Sequence, residues 1–138
     1  MLLPKKVQHR KWHKGRRRGK GVATRATRLD FGDFGLKTES HGWVSSRQLE
    51  AARRVLTRYV RRGGKVWIRV FPDKPVTKKS NELPMGGGKG APDHYVAVVK
   101  PGTMLFEMVG ITVADAKAAM NMASYKFGLK TRFIQKQK

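Results

Sequence analysis

Side chains that can do acid–base or metal chemistry are few and scattered in this sequence. The chain has 9 acidic residues, 4 histidines and no cysteine in 138 positions. His9 and His13 are a histidine pair at i, i+4 spacing, but their segment has no helical pattern and no further ligand nearby. No two acids are spaced so that one would act as a general acid and the other as a base. The sequence therefore predicts a protein that is not an enzyme and that needs no metal or cofactor.

Residues 86–90 form a glycine-rich stretch that contains one lysine. Gly88-Lys89 resembles the end of a phosphate-binding loop, a motif that requires Ser or Thr after the lysine and then a helix. Gly90 follows instead, which argues against an enzyme that hydrolyses nucleotides. The surrounding segment 76–93 is longer than the usual connection of about 4–6 residues, so we interpret it as a long loop. Its glycines would let the backbone approach an RNA phosphate, and a flexible connector is the alternative.

Positive charge is the strongest signal in the composition. Lys and Arg number 31 against 9 acidic residues, which gives a formal net charge of +22. Such an excess predicts an acidic partner, most commonly a nucleic acid. Segment 1–28 holds 11 of these basic residues with no acid and no hydrophobic period, so it is expected to be disordered alone. We interpret it as an arm that threads into RNA.

Within this arm, Trp12 is expected either to stack on a base or to pack on the domain. The candidate RNA-binding residues of the arm are Lys5, Lys6, Arg10, Lys11, Lys14, Arg16, Arg17 and Arg18.

A second basic surface is predicted on a helix between Ser45 and Arg62. Apolar residues recur with helical spacing on one face, and arginines occupy the opposite face. The apolar residues are Leu49, Ala52, Leu56, Tyr59 and Val60. Ser45 or Ser46 can cap the start, and the glycines at 63–64 end the helix. Like charges at i, i+4 repel, so a row of arginines with only Glu50 on its flank indicates a polyanion partner rather than an ordinary solvated face. The arginines of this face are Arg47, Arg54, Arg58, Arg61 and Arg62.

The remaining pattern predicts an α+β fold, mainly an antiparallel sheet with two helices packed on it. A second helix is expected from Thr112 to Gly128. Segments 94–100 and 103–109 are expected to pair as a hairpin across a Pro-Gly turn. The domain is predicted to span 29–138. The predicted strands are 29–37 in one or two pieces, 41–44, 65–71, 94–100, 103–109 and 129–134. Pro72 and Pro75 are expected to end the strand 65–71, because proline cannot donate a hydrogen bond to a neighbouring strand.

Three other classes of protein fit these features less well. A DNA-compacting protein is the main alternative, but the long glycine loop and the single asymmetric domain do not favour it. An enzyme with a phosphate cradle lacks the required hydroxyl residue. A membrane partner is not expected, because no apolar run approaches the roughly 20 residues of a membrane span and no basic amphipathic helix with an apolar face is visible.

Short motifs occur from one end of the chain to the other. They are Leu3-Pro4-Lys5, Phe31-Gly32, Phe34-Gly35-Leu36, residues 47–54, residues 67–75, Met85-Gly86, Gly88-Lys89-Gly90, residues 99–102 and Phe106-Glu107-Met108. With these motifs the chain resembles large-subunit ribosomal protein sixteen, of bacterial and organellar type, over essentially its whole length. The resemblance implies a structural constituent of the ribosome with a hammerhead-like β arrangement, located in the bacterial cytoplasm or inside an organelle.

The same resemblance implies specific partners. They are large-subunit rRNA near the aminoacyl-tRNA site and the peptidyl-transferase region, tRNA at that site, and neighbouring ribosomal proteins. Pro84 stands where the family usually has arginine, so a contact made by that arginine does not carry over to this chain. The loop residues expected to face tRNA are Met85, Gly86, Gly88, Lys89 and Gly90.

Overall fold

The fold is known from a computed structural model that describes residues 1–15, 19–60 and 63–137. The described residues form an α+β structure with two helices and seven strands. In chain order the elements are β1 (Phe34–Thr38), β2 (Gly42–Ser45), α1 (Ser46–Val60), β3 (Lys65–Ile68), β4 (Lys74–Lys78), β5 (Ala91–Val99), β6 (Met104–Val109), α2 (Val113–Ser124) and β7 (Thr131–Gln135).

The strands form two antiparallel sheets, whereas the sequence had suggested one. The first sheet has the order β3-β6-β1-β7, and the second has the order β2-β5-β4. Strand β6 lies inside the first sheet, with Phe106 paired to Leu36 of β1 on one edge and to Ile68 of β3 on the other. Because β6 is enclosed, five consecutive residues of it, from Met104 to Met108, are buried.

The predicted hairpin between 94–100 and 103–109 is wrong. The chain does turn there, with the N–H of Thr103 donating to the carbonyl of Lys100 at 3.1 Å. However, β1 and β3 occupy both edges of β6, so β5 has no edge to pair with and joins β2 and β4 instead. The turn therefore links two sheets rather than two neighbouring strands.

Strand β4 was not predicted, because two prolines near it suggested that regular structure ended there. Pro75 lies inside β4, opposite Tyr95 of β5. Since β4 is at the edge of its sheet, proline is tolerated where its missing N–H faces away from the neighbouring strand. Strands β4 and β5 are joined by residues 79–90.

Both helices begin where their capping residues predicted. Ser45 and Gln48 form a reciprocal capping box before α1, at 3.2 Å for the backbone N–H of Gln48 and 2.9 Å for that of Ser45. Thr112 caps α2 and accepts from the backbone N–H of Asp115 at 3.3 Å. Helix α2 ends at Ser124 rather than at Gly128, and Gly128 completes the following turn with a φ of +64°.

The helices pack against each other, with α1 also against β3 and α2 against β1. Leu49 and Leu56 of α1, Met120 of α2, and Phe106 of β6 are fully buried in the shared core. Neither helix described in the structure is long and apolar enough to cross a membrane. Because the apolar side of α1 packs into this core, the opposite side of the helix faces outward, and that side carries the arginines.

Candidate nucleic-acid interface

The outer side of α1 carries an exposed row of arginines. Arg47, Arg54 and Arg58 are all exposed, and the side chain of Arg54 has a relative exposure of 70%. The apolar side chains of the helix at 49, 52, 56 and 60 are buried on the other side. We call these three residues the arginine face. Arg61 and Arg62, predicted to extend it, lie outside the described residues.

Glu50 is the acid beside the arginine face. Arg53 donates to its carboxylate at 2.5 and 2.9 Å, and Arg54 lies 3.4 Å from it. The hydrogen bonds from Arg53, with a smaller contribution from Arg54, lower the pKa of Glu50 to about 2. Glu50 therefore stays ionised at neutral pH, and its main partner is Arg53, which leaves the arginine face largely uncompensated.

Asp93 of β5 lies close to cations of α1 and β4. Asp93 lies 2.8 Å from Nδ1 of His94. That hydrogen bond lowers the pKa of Asp93, and the charges of His94, Lys78 and Arg47 lower it further. Cations at the start of α1 and at the end of β4 therefore both act on this one carboxylate.

The arm contacts the glycine-rich stretch 86–90, which we call the glycine loop, through one lysine of the arm and one of the loop. The Lys11 ammonium donates to the carbonyl of Lys89 at 2.8 Å. In return, the Lys89 ammonium donates to the carbonyl of Trp12. The Lys74 ammonium of β4 donates to the carbonyl of Lys14 at 2.9 Å. We call these three hydrogen bonds the arm clasp; they place Lys89 against the arm, a contact that sequence reasoning did not foresee.

The other predicted arm residues reach solvent. Lys5, Lys6 and Arg10 are exposed, as are Lys11 and Lys14 of the clasp. Arg16, Arg17 and Arg18 lie outside the described residues. Further along, the N–H of Ala23 donates to the carbonyl of Pro101 at 2.9 Å, and the carbonyl of Ala26 accepts from Met104 at 2.7 Å. The end of the segment that was interpreted as an arm thus runs along the domain.

The tip of the connection between β4 and β5 is exposed and depends on glycine. The Met85 side chain is fully exposed. Gly86 and Gly88 have φ values of +95° and +102°, which L-residues with side chains rarely adopt. The Lys79 ammonium donates to the carbonyl of Gly86 at 2.5 Å, which holds the turn from inside. Gly90 has a different role, because an added Cβ would lie 2.8 Å from the carbonyl oxygen of Lys78.

A buried ion pair fastens the segment between the arm and β1. Glu107 of β6 is fully buried and accepts from the backbone N–H groups of Phe31 at 3.0 Å and Gly32 at 3.1 Å. Arg69 also donates to the Glu107 carboxylate, to Asp30 at 3.0 Å and to the carbonyl of Arg28 at 3.1 Å.

Ring contacts reinforce the same junction. Phe31 stacks on Trp67, with 5.9 Å between the ring centroids, and the Arg69 guanidinium lies 5.0 Å from the Phe31 centroid. Sequence reasoning did not assign a role to Arg69 or Glu107. The available signal was a lone acid inside an apolar strand, since a buried carboxylate requires a partner. The network fixes where the arm leaves the domain.

Nothing in the described parts of the chain resembles a metal centre: no three His, Asp or Glu side chains are grouped closely enough to hold an ion. The site is instead a set of exposed cations on α1, the arm and the loop. Such cations are suited to contacting phosphates.

Comparison with known proteins gives a consistent result. A family model described as "Ribosomal protein L16p/L10e" matches residues 4–134. A protein named "Large ribosomal subunit protein uL16c" from Pleurastrum terricola is 55% identical over 136 residues, which cover 99% of this chain and 96% of that protein. The proteins of the same name from Oltmannsiellopsis viridis and Spirogyra maxima are 54% and 55% identical over 134 residues, covering 97% of this chain and 98% and 92% of theirs.

Proposed function

This chain belongs to the ribosomal protein L16p/L10e family, and we propose that it binds rRNA beside the aminoacyl-tRNA site of the large ribosomal subunit. It is a structural protein of that subunit, and its relatives named uL16c favour the organellar type. Its role is to hold RNA in position near the peptidyl-transferase region, through charge and shape, without a catalytic group of its own. Neighbouring ribosomal proteins are its other partners.

The observation that carries the rRNA proposal is the arginine face. Arg47, Arg54 and Arg58 are exposed on the side of α1 that faces away from the core. Repulsion along such a row is unfavourable in the isolated chain, and rRNA phosphates would relieve it. Guanidinium groups also bind phosphates in a bidentate manner, which positions the RNA as well as attracting it.

The test replaces Arg54 and Arg58 together with glutamine and measures rRNA affinity over a range of salt concentrations. Each lost phosphate contact should reduce the slope of log K against log salt by about 0.7–0.9. The matched control is Lys117→Gln, which removes an exposed cation from α2. An unchanged slope in the double variant would show that the face is only solvated. Equal competition by duplex DNA would favour the DNA-compacting alternative.

The arm supplies a second rRNA contact in this proposal. Its exposed cations Lys5, Lys6 and Arg10 lie beyond the clasp, toward the start of the chain. Arg16, Arg17 and Arg18 belong to the same proposal on the strength of the sequence alone. Replacing Lys5, Lys6 and Arg10 with glutamine should therefore weaken rRNA binding and reduce the salt slope. The thermal unfolding temperature should not change, because Leu2, which packs against the core, is kept.

The loop is proposed to reach toward tRNA through Met85, Gly86, Gly88, Lys89 and Gly90. Its support is the exposure of Met85 and the left-handed glycines beside it, which let the backbone approach a phosphate. Lys89 donates to the arm, but an ammonium has three donors, so it can bind a phosphate as well. Pro84 provides neither charge nor N–H at the position where the family usually has arginine.

Two variants separate a direct tRNA contact from an effect of the clasp. Lys89→Ala should weaken tRNA binding at the aminoacyl site of reconstituted ribosomes, with subunit incorporation kept. Lys11→Ala removes the other half of the reciprocal contact and leaves the Lys89 charge in place. If Lys11→Ala lowers tRNA affinity as much as Lys89→Ala, the loop acts through the arm. If Lys89→Ala blocks incorporation, the loop is an rRNA anchor.

A further inference from the structure

A cleft opens where the arm crosses the second sheet. Its walls include Trp12 of the arm, Trp43 of β2, and Pro75 and Val76 of β4. Its volume is about 270 Å³, just below the roughly 300–1,000 Å³ of pockets that take drug-sized ligands. The space therefore suits one flat ring system rather than a whole cofactor. We call it the tryptophan cleft.

We propose that the tryptophan cleft takes one unpaired nucleobase of RNA, a proposal that rests on the rRNA-binding function. Indole rings are platforms for base stacking, which tolerates any sequence because every base has a π-face. Trp12 keeps 40% of its surface exposed while its carbonyl is held by Lys89. A large aromatic ring that is anchored through its backbone and left partly open is available to a ligand.

The charges around the cleft indicate where the base and where its phosphate would lie. Lys74 is only 7% exposed, donates to the carbonyl of Lys14 at 2.9 Å, and lies 4.6 Å from the Trp43 ring centroid. It is a fixed cation in the wall. Lys11 and Lys89 are exposed and approach from the arm and the loop. The base would enter between the apolar walls, and its phosphate would lie against the two exposed ammonium groups.

The lining also indicates which ligand is excluded. Among the described residues that line the cleft, three are lysines and none is acidic, so a cationic peptide would be repelled. A duplex hides the faces of its bases in the stack, and proteins read unpaired nucleotides by splaying them onto aromatic rings. The cleft thus selects single-stranded or bulged RNA, while the arginine face binds phosphates of any RNA.

The test uses the full chain and two fluorescent single-stranded RNA oligomers, one with normal bases and one with abasic nucleotides of the same backbone charge. Trp12→Leu should weaken binding of the normal oligomer by about 5- to 150-fold, the range expected for loss of one base stack. Trp12→Phe should restore most of that affinity. The salt slope should not change, because no charge is removed.

The abasic oligomer is the internal control. Wild type should bind it more weakly than the normal oligomer, and Trp12→Leu should weaken it no further. If Trp12→Leu binds both oligomers as wild type does, the cleft takes no base. If it weakens both equally, Trp12 only packs the arm. Either result overturns the cleft proposal but leaves rRNA binding by the arginine face, which the salt slope of the Arg54/Arg58 variant measures separately.

Discussion

Replacing Glu107 with glutamine tests the buried network that fastens the arm to the domain. Glu107 is fully buried, and the Arg69 side chain is only 12% exposed. Glutamine keeps the shape but removes the charge that Arg69 pairs with. Breaking a buried ion pair from one side costs about 3–5 kcal/mol, since the remaining charge stays buried without its partner. Arg69 still reaches Asp30 and the carbonyl of Arg28, so we expect the lower end of that range.

Two backbone hydrogen bonds to Glu107 would also weaken in this variant and lower its stability further. The N–H groups of Phe31 and Gly32 donate to the Glu107 carboxylate, and hydrogen bonds to a charged group contribute about 1.5–3 kcal/mol each, more than those to a neutral amide. Together the two contributions give a loss of about 4–5 kcal/mol, which corresponds to a fall in melting temperature of roughly 12–20 °C for a domain of this size. Thermal and urea unfolding of the isolated chain would measure it.

Asp30→Asn is the matched control for the Glu107 variant. It removes the other carboxylate of Arg69, but that side chain is 56% exposed, so solvent screens the pair and we expect less than about 1 kcal/mol. Similar losses in Glu107→Gln and Asp30→Asn would refute the reasoning, because burial would then have no effect. A double-mutant cycle with Arg69→Gln would give the coupling directly, and a coupling near zero would also refute it.

Other predictions concern single elements of the fold. Ser45→Ala should destabilise the chain by about 1 kcal/mol in urea unfolding through loss of the α1 cap, and Ser45→Asn should recover most of that. Glu50 has a pKa lowered to about 2 from the usual 4.5 by Arg53, so its stabilising effect should be complete above pH 4.5 and lost as the pH falls toward 2. Glu50→Gln should remove that part of the acid-unfolding profile, and an identical profile in the variant would contradict it. Gly32→Ala should lower the melting temperature, because its Cβ would lie 2.6 Å from the carbonyl oxygen of Met108; Gly63→Ala, with open space around a φ of +86°, should cost only backbone strain of about 1 kcal/mol.

Local signals predicted the helices well. Ser45 and Thr112 are both the capping residues that the sequence indicated, because a cap depends on side chains within one turn. The apolar spacing of α1 also predicted its buried side correctly at Leu49 and Leu56. Tyr59, placed on the same side by its spacing, is instead exposed at the margin, where its hydroxyl lies 3.0 Å from the sulfur of Met122.

Strand pairing was not predictable in the same way. The turn after Lys100 was recognised, but whether two strands that flank a turn pair depends on which other strands occupy their edges. Here β1 and β3 reach β6 from distant parts of the chain. The proline-containing β4 was missed for a related reason, since only the sheet shows that Pro75 is on an edge strand.

The candidate site was likewise predictable from the sequence only in part. Composition and helical spacing were enough to predict an exposed row at Arg47, Arg54 and Arg58, because surface charge follows from the sequence. The partner of Lys89 and the pairing of Trp12 with Trp43 in one cleft depend on residues far apart in the chain. The sequence alone allows Trp12 either to pack on the domain or to stack on a base. Packing and stacking are compatible in the cleft, since the Trp12 ring forms part of its wall and still has an exposed surface.

The arrangement of the acids explains why so basic a chain folds and still favours RNA. In the described residues, the ion pairs with arginine involve Glu50, Asp30 and Glu107, each with a partner inside the chain. These carboxylates hold the helix and the arm junction in place. They therefore do little to neutralise the arm or the arginine face, where repulsion between cations is left in the isolated protein. Binding of a polyanion removes that repulsion. Of the arginine face only Arg54, at 3.4 Å from Glu50, also belongs to an internal pair, so folding and RNA binding draw largely on different charges of the chain.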